Sequence, residues 1–317
     1  MQEQTKFKGV IPPVSTLLHN DNSLDQDGMK RLIDFLIDAK VDGLFFMGSG
    51  GEFANMSERF RKEVAEFVIS YVNKRVPVLI GTGTPSTDKT ILLSQHAQDA
   101  GADGVIVINP YYYKLNDNAL FKHYTSIAEK VDLPIMLYNF PGCTGQDLSP
   151  EFLLKLAKTC PNIVGVKDTV PEVAHTREII QIVKSEVPHF SVFCGYDDHF
   201  LNTLLNGGDG SIGLTANFAP EIQVGLYQAH QQNDFKSAVN YHQILAQLVR
   251  LYTLDSPFYN LVKDALRLRG FDISTKVLSP ATELSADKKA YLIDYLQKLL
   301  PDYFKKWKLT INLINGR

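Results

Sequence analysis

Short apolar runs rich in β-branched residues alternate along this chain with longer stretches whose apolar positions recur at helical spacing. The runs Gly9–Val14, Gly43–Met47, Val78–Gly81, Gly104–Ile108, Ile135–Tyr138, Ile163–Lys167, Ser191–Cys194 and Ser211–Gly213 read as strands. They recur roughly every thirty residues, tightening to about twenty at the last step. None shows polar–apolar alternation, so both faces of each strand are expected to be covered, as in a parallel sheet wrapped by helices. Between them, Leu32, Ile33, Leu36 and Ile37 fall on one helical face, and 61–72 and 89–100 follow the same period. Eight strand–helix units predict an α/β fold of the (β/α)8 barrel type, with an open doubly wound sheet as the rival. Three segments, Ala39-Lys40-Val41-Asp42-Gly43, Ala100-Gly101-Ala102-Asp103-Gly104 and Asn206-Gly207-Gly208-Asp209-Gly210, each precede a strand. Their glycines are expected to end a helix in the left-handed conformation and turn the chain inward.

The strand pattern stops after Pro220. Residues 221–254 predict a helix with Tyr241, Leu245, Leu248 and Val249 on one face; 257–269 and 287–300 predict two more. The chain therefore divides into a barrel over 1–220 and a helical extension over 221–317. The last stretch, 303–317, mixes Lys305, Lys306, Trp307 and Lys308 with Ile311, Leu313 and Ile314, a tail that packs on a neighbour or stays mobile.

Charge narrows the function classes. A formal net charge of −3 leaves no excess of basic residues for a nucleic-acid footprint. With 44% hydrophobic residues the chain is not disordered, yet no apolar run reaches the ~18 residues of a membrane span. Met1 to Lys6 hold no apolar signal core. The three cysteines, Cys143, Cys160 and Cys194, form no CxxC and cannot all pair, which points to free thiols in the cytoplasm.

Barrel chemistry gathers where strands end. The sixth strand ends in Gly165-Val166-Lys167-Asp168-Thr169, so a lysine faces the barrel mouth. Burial lowers the pKa of such an amine, and a neutral amine attacks a ketone to give a Schiff base. The alternative is a lysine paired with Asp168 or another carboxylate. The fifth strand ends in Tyr138-Asn139-Phe140-Pro141, and the fourth runs into Asn109-Pro110-Tyr111-Tyr112-Tyr113. A phenol beside such a lysine can move protons; a phenol at a strand end can equally be a packing residue. The second strand ends in Met47-Gly48-Ser49-Gly50-Gly51-Glu52-Phe53, where bare backbone can present N–H groups to an anion. Tyr196-Asp197-Asp198-His199 is expected to start a helix with an aspartate as its cap. His96, His123, His175 and His242 lack metal-ligand spacing, and no phosphate loop, dinucleotide fingerprint or nucleophile elbow is present.

Taken together, Gly48-Ser49-Gly50-Gly51-Glu52, Asn109-Pro110-Tyr111-Tyr112, Tyr138-Asn139-Phe140-Pro141 and Gly165-Val166-Lys167-Asp168 resemble, in order and spacing, the N-acetylneuraminate lyase/dihydrodipicolinate synthase superfamily. These are pyruvate-handling class I aldolases on a barrel with a helical C-terminal extension. With Thr144-Gly145-Gln146-Asp147-Leu148 and Cys194-Gly195-Tyr196-Asp197-Asp198-His199, the pattern is similar to their 2-keto-3-deoxygluconate aldolases. The resemblance implies that Lys167 forms the Schiff base and Tyr138 is the acid/base. It implies that Ser49 and the Ser49 and Gly50 amides hold the pyruvyl carboxylate, and that Ile212 lines the pyruvate pocket. Tyr112 would complete a proton relay through Ser49 in the neighbouring subunit of a homotetramer, a dimer of dimers. No metal and no cofactor are implied; the partners are pyruvate and a small hydroxyaldehyde or 2-keto-3-deoxy acid.

Two departures bear on the substrate. In dihydrodipicolinate synthases the loop after the Tyr-Asn-x-Pro motif carries an arginine that clamps the aldehyde's carboxylate, and here Cys143 stands there. Gly50 replaces the second hydroxyl of the Gly-Thr-Thr-Gly-Glu motif, which also weakens a sialic acid lyase reading. An uncharged hydroxyaldehyde fits better, with Thr144, Thr169, Asn217 and Ser211 as hydroxyl partners. The other readings are a dihydrodipicolinate synthase, or a non-catalytic keto-acid sensor that keeps the barrel.

Overall fold

The computed structural model describes residues 6–304. Nine parallel strands form one sheet: β1 (Gly9–Val10), β2 (Pro13–Val14), β3 (Leu44–Phe46), β4 (Val78–Gly81), β5 (Gly104–Ile108), β6 (Ile135–Asn139), β7 (Ile163–Asp168), β8 (Ser191–Cys194) and β9 (Gly210–Ser211). β1 pairs with β9 and β2 with β3. The expected first strand is thus split between its two neighbours. Pro12 and Pro13 have no N–H to donate, so a continuous ladder is impossible there. Ile11 N donates to Ser211 O at 3.0 Å and Pro12 O accepts from Phe45 N at 3.0 Å, so the short break still touches both sides. The ring closes as an eight-unit barrel, and the open-sheet rival falls.

Helices Gln26–Asp38, Glu58–Val72 and Thr87–Asp99 cover the outside, each opened by an Asp or Ser side chain that accepts a first-turn amide. Met29, Leu32, Ile33 and Leu36 are buried beneath the first of these. The repeated segments before strands do two jobs. Gly101 and Gly207 take the left-handed conformation expected, and Lys40 takes it in the segment without such a glycine. The aspartates act separately. Asp42, Asp103 and Asp209 accept amides at the starts of β1, β4 and β8, from Val10, Val78 and Val192, at 2.7 to 2.9 Å. Each ties the start of one strand to the segment leading into another.

Beyond β9 the expected long helix is interrupted. Pro220–Gln231 ends near Asn233, which is left-handed, and Asp234 caps Phe235–Leu248. A tight 3-10 turn, Val249–Thr253, follows. The next helix starts at Asn260 rather than 257, leaving Pro257, Phe258 and Tyr259 as a turned approach segment at the barrel mouth. Ala286–Leu299 and Pro301–Phe304 end the described chain. The expected tail from Lys305 onward, like Met1 to Thr5, lies outside the described residues. No helix among the described residues is long and apolar enough to cross a membrane.

Candidate active site

β6 and β7 lie side by side in parallel register with Tyr138 opposite Lys167. Side chains alternate along a strand, so Lys167 turns toward the barrel axis and Asp168 away from it. The Lys167 amine sits 4.2 Å from the centre of the Tyr138 ring and 5.5 Å from that of Phe45. Lys167 is 4% exposed. Burial pulls its pKa down to about 7, against the opposing pull of Asp197. The amine is therefore substantially neutral near physiological pH.

The sequence alternative, a pair between Lys167 and Asp168, is not what forms. Asp168 accepts from Asn139 Nδ2 at 3.0 Å and Thr176 Oγ1 at 2.7 Å, and lies 3.0 Å from His175 Nδ1. The other ring nitrogen of His175 is 3.2 Å from Asp147. Burial works against a charge on His175, but the bonds to Asp147 and Asp168 outweigh it and raise the pKa to about 10. An imidazolium between two carboxylates thus anchors the outer side of the β7 end.

Ser49 opens a one-turn 3-10 helix, Ser49–Gly51, at the end of β3, and its Oγ lies 3.3 Å from the Tyr138 hydroxyl. Burial raises the Tyr138 pKa above the usual phenol value, with the Ser49 bond pulling the other way, so the phenol keeps its proton. A cavity of about 310 Å3 opens onto these groups. Lys167, Tyr138, Ser49, Gly50, Thr169 and Ile212 all line it, bringing six of the expected site residues together.

The remaining expected residues go elsewhere. Asn217 is fully buried and spends its amide on backbone: it donates to Pro13 O and Leu214 O and accepts from Ser15 N, at 2.9 to 3.0 Å. Thr144 donates to Phe140 O and Gln146 O and lines a second cavity beside this one. Ser211 is buried in β9 and does not line the cavity. Tyr112 is 85% exposed, left-handed, and edge-on to Tyr113 at 4.7 Å, so it takes no part in its own chain's cavity.

Three lining groups carried no sequence signal: Tyr252 and Thr253 arrive from the 3-10 turn of the helical extension and Phe258 from its approach segment. Tyr196, in a segment expected only to start a helix, joins them from the turn after β8. Asp197 does not cap its turn, whose start has no side-chain cap. It is fully buried and accepts from Thr215 N at 3.0 Å, Thr215 Oγ1 at 2.5 Å, Gln223 Nε2 at 2.6 Å and Tyr252 OH at 2.6 Å. That network fixes Tyr252 over the cavity. Gly50 also has a structural reason: a Cβ there would meet Leu214 Cδ1 at 2.4 Å, so the leucine fills the space a side chain would need. A second cavity of about 530 Å3 adjoins the first across Ser49, Tyr252 and Phe258, and Cys143 and Tyr111 border it.

A buried amine near its pKa midpoint, beside a protonated phenol in the mouth of a closed α/β barrel, places this protein among barrel enzymes equipped for carbonyl chemistry. Comparison with known proteins narrows the class. A model of the dihydrodipicolinate synthetase family matches residues 6–299. The chain is 52% identical to the putative 2-dehydro-3-deoxy-D-gluconate aldolase YagE of Escherichia coli K12, over 94% of this chain and 99% of that one. It is 49% identical to the probable 2-dehydro-3-deoxy-D-pentonate aldolase YjhH of the same organism, over 93% and 99%. The crystal structure of YagE in complex with pyruvate matches with a TM-score of 0.91, covering 92% of this chain and 98% of that chain. The chain belongs to the dihydrodipicolinate synthetase family, and it is a lyase.

Proposed function

We propose that this protein cleaves a 2-keto-3-deoxy sugar acid of the 2-keto-3-deoxygluconate type into pyruvate and a hydroxyaldehyde through a Schiff base on Lys167. The observation that carries the reading is the buried Lys167 amine, with a pKa of about 7, aligned with Tyr138 at the cavity floor. YagE and YjhH, which bear the names of such aldolases, and the YagE structure with pyruvate support it.

The neutral amine adds to the C2 carbonyl, and Tyr138 gives its proton to the departing oxygen, which leaves as water. The cationic imine then draws the electrons of the C3–C4 bond as the Tyr138 phenolate takes the proton of the C4 hydroxyl. The aldehyde departs, the enamine is protonated at C3, and water releases pyruvate and the free amine. Ser49 and the Ser49 and Gly50 amides hold the carboxylate, and Ile212 walls the keto-acid end. Thr169, which lines the cavity beside Tyr138, is the residue assigned to a substrate hydroxyl. The reacting groups fall in the 1–220 barrel, while the 221–317 extension supplies part of the pocket wall. Tyr112, exposed on its own chain, serves the neighbouring copy's Ser49 in a homotetramer working in the cytoplasm.

Sodium borohydride with pyruvate should attach one reduced pyruvyl group to Lys167 and none to Lys167→Ala. Labelling elsewhere, or none, refutes the scheme. A panel of aldehydes and keto acids, assayed for pyruvate-linked cleavage, separates this reaction from condensation of pyruvate with aspartate semialdehyde. Cys143, which borders the cavity where the synthases carry a guanidinium, favours the uncharged aldehyde. Turnover of any 2-keto-3-deoxy acid eliminates a sensor.

A further inference from the structure

Glu52 ends the Gly-rich turn. It is left-handed, a conformation that side chains seldom adopt, and is 2% exposed. Its amide donates to Ser49 O at 3.1 Å, closing the turn on the residue that faces Tyr138. Both carboxylate oxygens are engaged by the helical extension: Oε1 with Lys263 Nζ at 2.6 Å and Oε2 with Leu278 N at 2.6 Å. Lys263, also 2% exposed, donates in addition to Lys276 O at 2.5 Å. A carboxylate and an ammonium held this deep are tolerated only when paired and hydrogen-bonded, and removing one partner leaves the other charge stranded. The turn is held from the barrel side as well, where Thr16 Oγ1 donates to Gly51 O at 2.8 Å.

We propose that Glu52 and Lys263 are positioning residues that brace the Ser49–Gly51 turn for the keto-acid carboxylate, so that the helical extension takes part in substrate binding without touching substrate. The inference rests on the imine reading above. It assigns the brace to the carboxylate end of the substrate, because the braced element is the one that offers the Ser49 hydroxyl and the Ser49 and Gly50 amides.

The test uses the full chain and borohydride trapping, with pyruvate and methyl pyruvate as probes. The variants are Glu52→Gln, Lys263→Met, Lys263→Arg and the double variant Glu52→Gln/Lys263→Met, which strands no charge and is the form expected to fold if a single variant does not. With the turn loosened, half-saturation by pyruvate should rise about tenfold while labelling of Lys167 at saturation is unchanged. Half-saturation by methyl pyruvate, whose ester carries no charge, should move less than about twofold. Lys263→Arg should restore most of the loss. Equal shifts for both probes, or no shift in the folded double variant, overturn the inference while leaving the imine intact. Failure of the unaltered protein to trap pyruvate sinks the imine reading, and this inference with it.

Discussion

Asp168 follows Lys167 directly in the chain, whereas Asp197 lies beyond the next strand, yet it is Asp197 whose charge acts on the amine. Asp168 points out of the barrel and is consumed by Asn139, His175 and Thr176. Asp197 is buried and is held by Thr215, Gln223 and Tyr252. The first aspartate fixes the strand end; the second shapes the field in which the amine works. Adjacency in sequence misleads because a strand sends successive side chains to opposite faces.

The largest expected effect comes from Asp197→Asn. The cationic imine loses its opposing charge, so turnover should fall roughly 10- to 100-fold. The pH midpoint for pyruvate trapping should drop by about one unit, because the amine no longer gains from a nearby anion. An unchanged midpoint would detach Asp197 from the amine. Asp168→Asn should do the reverse, costing about 1–2 kcal/mol of stability in denaturant unfolding by leaving His175 with Asp147 as its remaining carboxylate. Its trapping midpoint should hold to within about 0.3 units. If both variants shift the midpoint equally, the contrast between the two aspartates is gone.

A smaller effect separates the two sides by pH. The folded pKa of His175 is raised from 6.5 to about 10, so its stabilisation is full below pH 6.5 and is lost as pH rises through 10. The folded pKa of Lys167 is lowered from 10.5 to about 7, so its burial costs stability below pH 7 and that cost fades as pH rises toward 10.5. The two windows overlap with opposite slopes. Melting curves from pH 6 to 10 should therefore fall with pH in Lys167→Met, which is also the more stable protein at neutral pH, and rise in His175→Gln. Parallel curves for the two variants would show that one of these protons is misassigned. The smallest effect is Tyr252→Phe, which removes one hydrogen bond from Asp197 and should cost about 1 kcal/mol.

The barrel was readable because buried parallel strands leave uninterrupted apolar runs at a steady interval, and the strand ends then locate Lys167, Tyr138 and Ser49. Asn217 read as a pocket residue because it sits near a strand end, but a buried amide beside unpaired backbone carbonyls is drawn to them first. Asp197 read as a cap because Asp commonly opens a turn, while its partners Gln223 and Tyr252 come from elements that no local pattern connects to it. Glu52 was visible at the end of the Gly-rich run, but its partner Lys263 lies more than two hundred residues on. Periodicity reports which face of an element is buried; it does not report which distant element arrives there.

Gly195, at the end of β8, lines the cavity with no side chain at all. A Cβ there would stand 1.9 Å from Thr169 Oγ1 and 3.2 Å from the last methylene of Lys167. The position thus works as clearance, leaving the Thr169 side chain and the Lys167 arm the space they occupy. Even Gly195→Ala would force Thr169 to shift, so a residue that offers no functional group of its own sets where two cavity groups stand.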